Sequence, residues 1–206
     1  MIETRLYQSL DRLEIRDLIE NWVLWRDTGS WERLRTLWHD DGRMVTTWCE
    51  VDAEEFIDLC KKAWVSGAIN ANHFLGGTTL EIAGERAIAQ TKMMVTQRAL
   101  LHGVEVDVTS MGRFYDLLER RKQRWAIVLR HPVYERDRVD TVDPSATLAL
   151  DRTLLSEMPV GYRHLAYLQT HLGLNVNRDL AGRSGPELET LLARGRAWLA
   201  GADGRV

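Results

Sequence analysis

The 206-residue sequence contains two cysteines, Cys49 and Cys60, in neither a metal nor a redox spacing. That excludes a disulfide framework and a zinc ribbon, and it suits a reducing cytoplasm with both thiols free. Positive charge is not in excess. The net charge of −3 leaves no electrostatic footprint for nucleic acid and no basic face for anionic membranes. No apolar run approaches the roughly 18 residues of a membrane span, and the opening MIETRLYQSLDR has no signal-peptide pattern. A cytoplasmic protein is expected. His39, His102, His131, His164 and His171 show no HxH or HExxH spacing, so metal binding is not expected. Ser66, Ser110 and Cys49 lack the context of a nucleophile elbow. GGTTLEIAG, starting at Gly76, is followed by no Lys-Ser/Thr and reads as strand and turn rather than a phosphate loop. The chemistry, if any, is expected to need no metal or organic cofactor.

What the chain does have is tryptophan: eight, with Trp22, Trp25 and Trp31 close together. Such stiff apolar area serves a heavy core or an interface, or it lines a pocket for a flat, greasy ligand. Hydrophobic residues at 45% and charged residues at 28% are those of an ordinary globular protein. The length suits one domain with an appendage, or two small domains.

The stretch from Ile15 to Met44 organises the rest. Ile15, Leu18, Ile19, Trp22 and Val23 form the i, i+3, i+4, i+7, i+8 stripe of a helix with one buried face. Gly29 suits its C-terminal cap, and Ser30 is placed to cap a second helix reaching His39. Asp27 therefore sits at the hinge of two helices, either capping the second or serving as a functional carboxylate. Residues 43–50 predict a short strand. Asp52 predicts the N-cap of a third helix carrying Phe56, Leu59, Cys60, Ala63 and Trp64 on its apolar face. From His73 the signature becomes period-two and β-branched. It predicts long strands over 73–83, 86–101, 104–119 and 124–136, joined by turns short enough to force antiparallel pairing. Such long strands must curl. On the last of them Arg130 is predicted to share a face with Ala126, Val128 and Tyr134. A charge there is costly unless paired, so Arg130 is expected to be functional or to partner a carboxylate such as Asp27. Beyond Asp140 the pattern turns helical, at 145–157, at 161–172 and from Pro186, as an arm over the main domain or over a neighbouring subunit.

The I-x-D-L from Ile15 to Leu18, Asp27 with the Trp after Ser30, the segment Leu34 to Asp41, His73 opening a strand, the GRFYDLLERR…WAIVLR hairpin and the trailing VYERDRVDTVDP together resemble the nuclear transport factor 2-like, or SnoaL-like, superfamily. The resemblance covers about residues 8–143. It implies an α+β cone, with three N-terminal helices packed in a curled antiparallel sheet over residues 1–140, followed by a helical extension over 141–206. The functional parallels are hexachlorocyclohexane dehydrochlorinase and scytalone dehydratase, cofactor-free lyases that use a His–Asp pair in a greasy pocket. By that analogy His73 is the general base, Asp27 its orienting carboxylate, and Arg130 a stabiliser of developing negative charge. Trp22, Val23, Trp48, Met94, Met111 and Tyr134, with Met93, would line the pocket. The implied activity is loss of water, of HCl, or of formaldehyde by retro-aldol cleavage, from a hydrophobic, aromatic or cyclic small molecule, by a homodimer or homotrimer. An isomerase or cyclase of the same fold is a close variant. The alternative from another class is a non-catalytic subunit like the β chain of a ring-hydroxylating dioxygenase.

Overall fold

The computed structural model describes residues 2–67 and 70–202, with side chains from Leu6 onward. The apolar stripe becomes helix α1, Ile2–Asp27, and all five of its stripe residues are buried. Gly29 ends it at φ +70°, with the Ser30 amide donating to the Trp25 carbonyl at 2.8 Å. The second helix is shorter than expected. α2 covers only Trp31–Arg35, and the Ser30 side chain does not cap it. Trp38 instead begins strand β1, Trp38–Val45, which runs parallel to the last strand of the sheet. A partner more than eighty residues away in sequence outbids the local helical pattern. β2, Glu50–Asp52, pairs back on β1. The Asp52 carboxylate accepts the Glu55 amide at 2.8 Å to start α3, Ala53–Ser66, which stops at Gly67 with φ +65°.

Four long strands follow: β3 (Asn70–Ala83), β4 (Arg86–Leu101), β5 (Val104–Arg121) and β6 (Arg124–Thr141). Their turns fall where the sequence places them. His102-Gly103 and Lys122-Gln123 both hold positive φ at the two central positions, the geometry that matches the twist of a tight hairpin. The open sheet has the order β2-β1-β6-β5-β4-β3, antiparallel except at β1–β6. α1 reaches both β3 and β6, so the sheet curls around it. Among the described residues no helix is long and apolar enough to cross a membrane.

Two bulges in β6 decide which side chains face the inside of the curl. Opposite Leu117 and Leu118, β6 offers Leu129 and Ile127, leaving Val128 extra; opposite Met111 and Gly112 it offers Arg136 and Tyr134, leaving Glu135 extra. Each extra residue switches the alternation. The inward set on β6 is therefore Trp125 and Ile127, then Arg130, Pro132 and Tyr134. Arg130 does not share a face with Ala126 as the unbroken alternation predicted.

After Thr141 the chain is irregular until α4, Arg152–Ser156, a shorter helix than the one predicted over 145–157. A 3-10 turn, Val160–Tyr162, leads into α5, Arg163–His171, and α6 follows at Pro186–Leu199 with proline in its first turn. The arm lies over its own sheet. α5 contacts β4, β5 and β6, while α6 covers the outer face at Ile88 and Tyr115. Gly195 makes this approach feasible, since a Cβ there would overlap the Tyr115 hydroxyl. Arg86 fastens the end of α6. Its guanidinium sits 4.0 Å from the Trp198 ring centre and donates to the Trp198 carbonyl at 2.9 Å.

Candidate active site

The end of α1, strands β1 and β3–β6, α3 and α5 enclose a recess. It is a cavity of about 580 Å³, its mouth included, that narrows to a slot inside. His73, near the start of β3, stands on its wall and meets Asp27, at the last turn of α1. The Asp27 carboxylate takes two hydrogen bonds from one residue: His73 Nδ1 lies 2.8 Å from Oδ1, and the His73 amide donates to Oδ2 at 2.6 Å. Backbone and ring are thus held by one anion, which assigns the proton to Nδ1 and leaves Nε2 with a lone pair. Trp22 meets the imidazole edge-on at 5.7 Å between centres, and Phe114 lies tilted at 6.2 Å. These rings fix its plane.

The electrostatics favour a neutral imidazole beside an ionised carboxylate. Burial pushes the His73 pKa below the ordinary histidine value; Asp27 pulls it up, while Arg26 and Arg130 reinforce the fall. For Asp27, burial opposes ionisation, but the His73 contacts and Arg26 outweigh it and hold the carboxyl below its usual range. Arg26 also lines the recess and donates to Asp27 at 3.2 Å. Its place next to Asp27 in the sequence was the one signal available for it, and a terminal helical arginine has too many surface roles to stand out.

Arg130 is placed differently from expectation. It is fully buried and forms a bidentate pair with Asp116, both N···O distances 2.8 Å, rather than pairing with Asp27. Its guanidinium lies 4.4 Å from the centres of both Trp22 and Phe114, behind the rings that hold His73, and it does not line the recess. Its partner stands directly opposite on β5, a pairing set by the Val128 bulge.

Of the expected lining, Trp22, Trp48 and Tyr134 are on the wall, as is Met93. Val23 is buried in the core away from it. Met94 and Met111 pair with each other on the opposite face of the sheet, beside Phe74 in a separate outer groove. Met93, opposite Gly112, takes the inward position. A period-two pattern shows that adjacent methionines face opposite ways, not which one faces in. Thr46, Thr47, Gln97 and Gln169 complete the polar wall and were not singled out from the sequence. Tyr134 bonds Thr47, and burial raises its pKa, so it remains a neutral phenol. Burial also pushes the Cys49 and Cys60 thiols up to about 11, which leaves both inert at neutral pH. Among the described residues no three His, Cys, Asp or Glu side chains converge as metal ligands.

Residues 8–131 match the SnoaL-like domain, a span that contains Asp27, His73 and Arg130. The chain belongs to the SnoaL-like family. This SnoaL-like protein is 34% identical over 203 residues to a PEP2-like protein of Fusarium vanettenii, covering 93% of this chain and 87% of the relative. Pea pathogenicity protein 2 of the same fungus is 33% identical over 177 residues, covering 84% of this chain and 76% of the relative. Among solved structures, hexachlorocyclohexane dehydrochlorinase from Novosphingobium barchaimii superposes with a TM-score of 0.57 at 16% identity, over 71% of this chain and 99% of that one. An NTF2-like protein with a cystatin-like fold from Novosphingobium aromaticivorans matches at 0.51 and 25% identity, over 70% and 90%. These structural likenesses establish a common NTF2-like cone.

Proposed function

We propose that the protein is a cofactor-independent lyase acting on a hydrophobic small molecule, with His73 as general base and Asp27 as its orienting carboxylate. The observation that carries this reading is the buried imidazole, clamped through Nδ1 by Asp27, in the wall of a slot lined by Trp22, Trp48 and Phe114. Nε2 takes a proton from carbon; the C–H electron pair becomes the new double bond, and a group on the neighbouring carbon leaves with its own bonding pair. Where that group is hydroxide, the imidazolium returns the proton and water departs. Asp27 stabilises the imidazolium while it lasts. A base so placed contributes about 10²–10⁴-fold. Arg130 is a positioning residue in this scheme, acting through the Trp22 and Phe114 rings rather than on the reacting atoms. The dehydrochlorinase named above shares the cone, which supports the class of reaction without indicating the leaving group.

The test is a survey of aromatic β-hydroxy and β-halo compounds by mass spectrometry. A lyase lowers substrate mass by water or hydrogen halide, whereas an isomerase using the same base leaves the mass unchanged. Turnover that survives both His73→Ala and Asp27→Asn removes the pair from the chemistry. Solution mass of the protein alone tests the homodimer or homotrimer that we propose with it.

A further inference from the structure

The recess carries a second polar feature that proton transfer does not use. Gln97, on β4, and Gln169, on α5 of the arm, are both buried and both line it. Their amides meet through one long bond, Gln169 Nε2 donating to Gln97 Oε1 at 3.4 Å. The other ends, Gln97 Nε2 and Gln169 Oε1, have no partner among the described residues. Whichever way the two amides are turned, one N–H···O bond between them leaves one NH₂ and one oxygen over. Burying polar ends unpaired is unfavourable, and two leucines would hold the fold as well. Gln97 is also well placed relative to the base. His73 stands opposite Val95 and Gln97 opposite Ala71, so the two are diagonal neighbours across β3 and β4, about 7–8 Å apart by the geometry of such pairs.

We propose that Gln97 and Gln169 together bind a neutral hydroxyl group of the substrate, Gln97 donating to its oxygen and the Gln169 carbonyl accepting its hydrogen. A hydroxyl accepts and donates through one oxygen, and the two idle ends offer the matching donor and acceptor. A carboxylate has no hydrogen for the Gln169 oxygen, and a hydrocarbon leaves both ends idle. The inference rests on the reading of the recess as a lyase site for apolar molecules, and it narrows them to alcohols or phenols. It also makes the arm a determinant of specificity, because one half of the receptor for the hydroxyl comes from α5.

The test uses three probes of one shape: benzyl alcohol, toluene and benzoate. Each is titrated into isotope-labelled protein while the side-chain NH₂ resonances of Gln97 and Gln169 are followed by NMR. Benzyl alcohol should bind roughly tenfold more tightly than toluene, the yield of two neutral hydrogen bonds, and should move both NH₂ signals. Benzoate should bind more weakly than the alcohol. Gln97→Leu and Gln169→Leu should each reduce the alcohol-to-toluene ratio, and the double variant should bring it near one. The titration reads binding and not turnover, so a failure of the base assignment, seen in kcat, and a failure of this assignment, seen in the binding ratio, are read separately. The proposal is overturned if toluene or benzoate binds wild type as well as the alcohol does, if none of the three binds, or if the preference survives in the double variant. Where a variant fails to fold, the wild-type ranking and the NH₂ shifts decide alone.

Discussion

The molecule contains the same hydrogen-bonded pair twice. At one end of the fold, His73 gives its amide and Nδ1 to Asp27 at 2.6 and 2.8 Å; at the base of the arm, His164 gives its amide and Nδ1 to Asp137 at 2.6 and 2.8 Å. The surroundings differ. Asp137 also accepts the Leu165 amide at 2.8 Å, so it satisfies the first turn of α5 as an N-cap and ties the arm to β6. The His164 side chain is 26% exposed against 10% for His73, and it lines none of the recess. A carboxylate that holds a histidine by backbone and ring is thus an arrangement the chain uses for anchorage at α5 and, in the function we propose, for chemistry at His73. What distinguishes the first copy is its setting: aromatic rings on two sides of the imidazole, and a recess beside it.

The strongest test of that difference is to remove each histidine in turn. His73→Ala should lower kcat by about 10²–10⁴-fold, while His164→Ala should leave it within severalfold of wild type. Equal losses would mean that both pairs serve the fold. Next in size is the buried Arg130–Asp116 ion pair packed against the Trp22 and Phe114 rings. Arg130→Met strands Asp116 and should cost about 3–5 kcal/mol in urea unfolding, whereas Arg130→Met with Asp116→Leu should recover most of it. If Arg130→Met lowers kcat without loss of stability, Arg130 acts on the reaction itself.

Acid provides a third test. His131, on the outer face beneath α6, has its pKa pushed down to about 4 by burial. The unfolded chain therefore binds the proton first, at about 6.5, and stability present above that pH is lost as pH falls toward 4, by about 3 kcal/mol over the interval. His131→Gln should flatten this slope. His73 is shifted in the same direction, so the acid limb of kcat/KM should lie below pH 6.5; a limb above it would contradict a neutral buried base. The smallest effect is expected at the anchoring pair. Asp137→Ala removes a cap and should cost about 1–2 kcal/mol, seen as faster proteolysis at the start of α5 with kcat little changed.

Much of this was legible in the chain before folding. The α1 stripe, the Asp52 cap, the Gly29 and Gly67 stops and the hairpin turns depend on neighbours a few residues away, and the four long strands follow from period-two alternation. Asp27 stood out from its place at the end of the first helix, and His73 from the family resemblance. Arg130 was not: the extra residue at Val128 changes its face, and its carboxylate arrives from β5. The choice of Met93 over Met94 depends on register in the same way. Trp38 left its helical pattern for a parallel pairing with β6, a gain no local window contains.

The residues themselves determined most of the elements and their order, because helix caps, turn φ angles and apolar periods act over short range, while the roles we propose for His73 and Asp27 came from the family resemblance. Only the packed structure decided which pair faces a slot and which holds an arm, where the buried arginine finds its anion, and that Gln169 reaches back to meet Gln97. Those outcomes depend on bulges and on contacts between segments far apart in sequence, and short-range preferences carry no record of either.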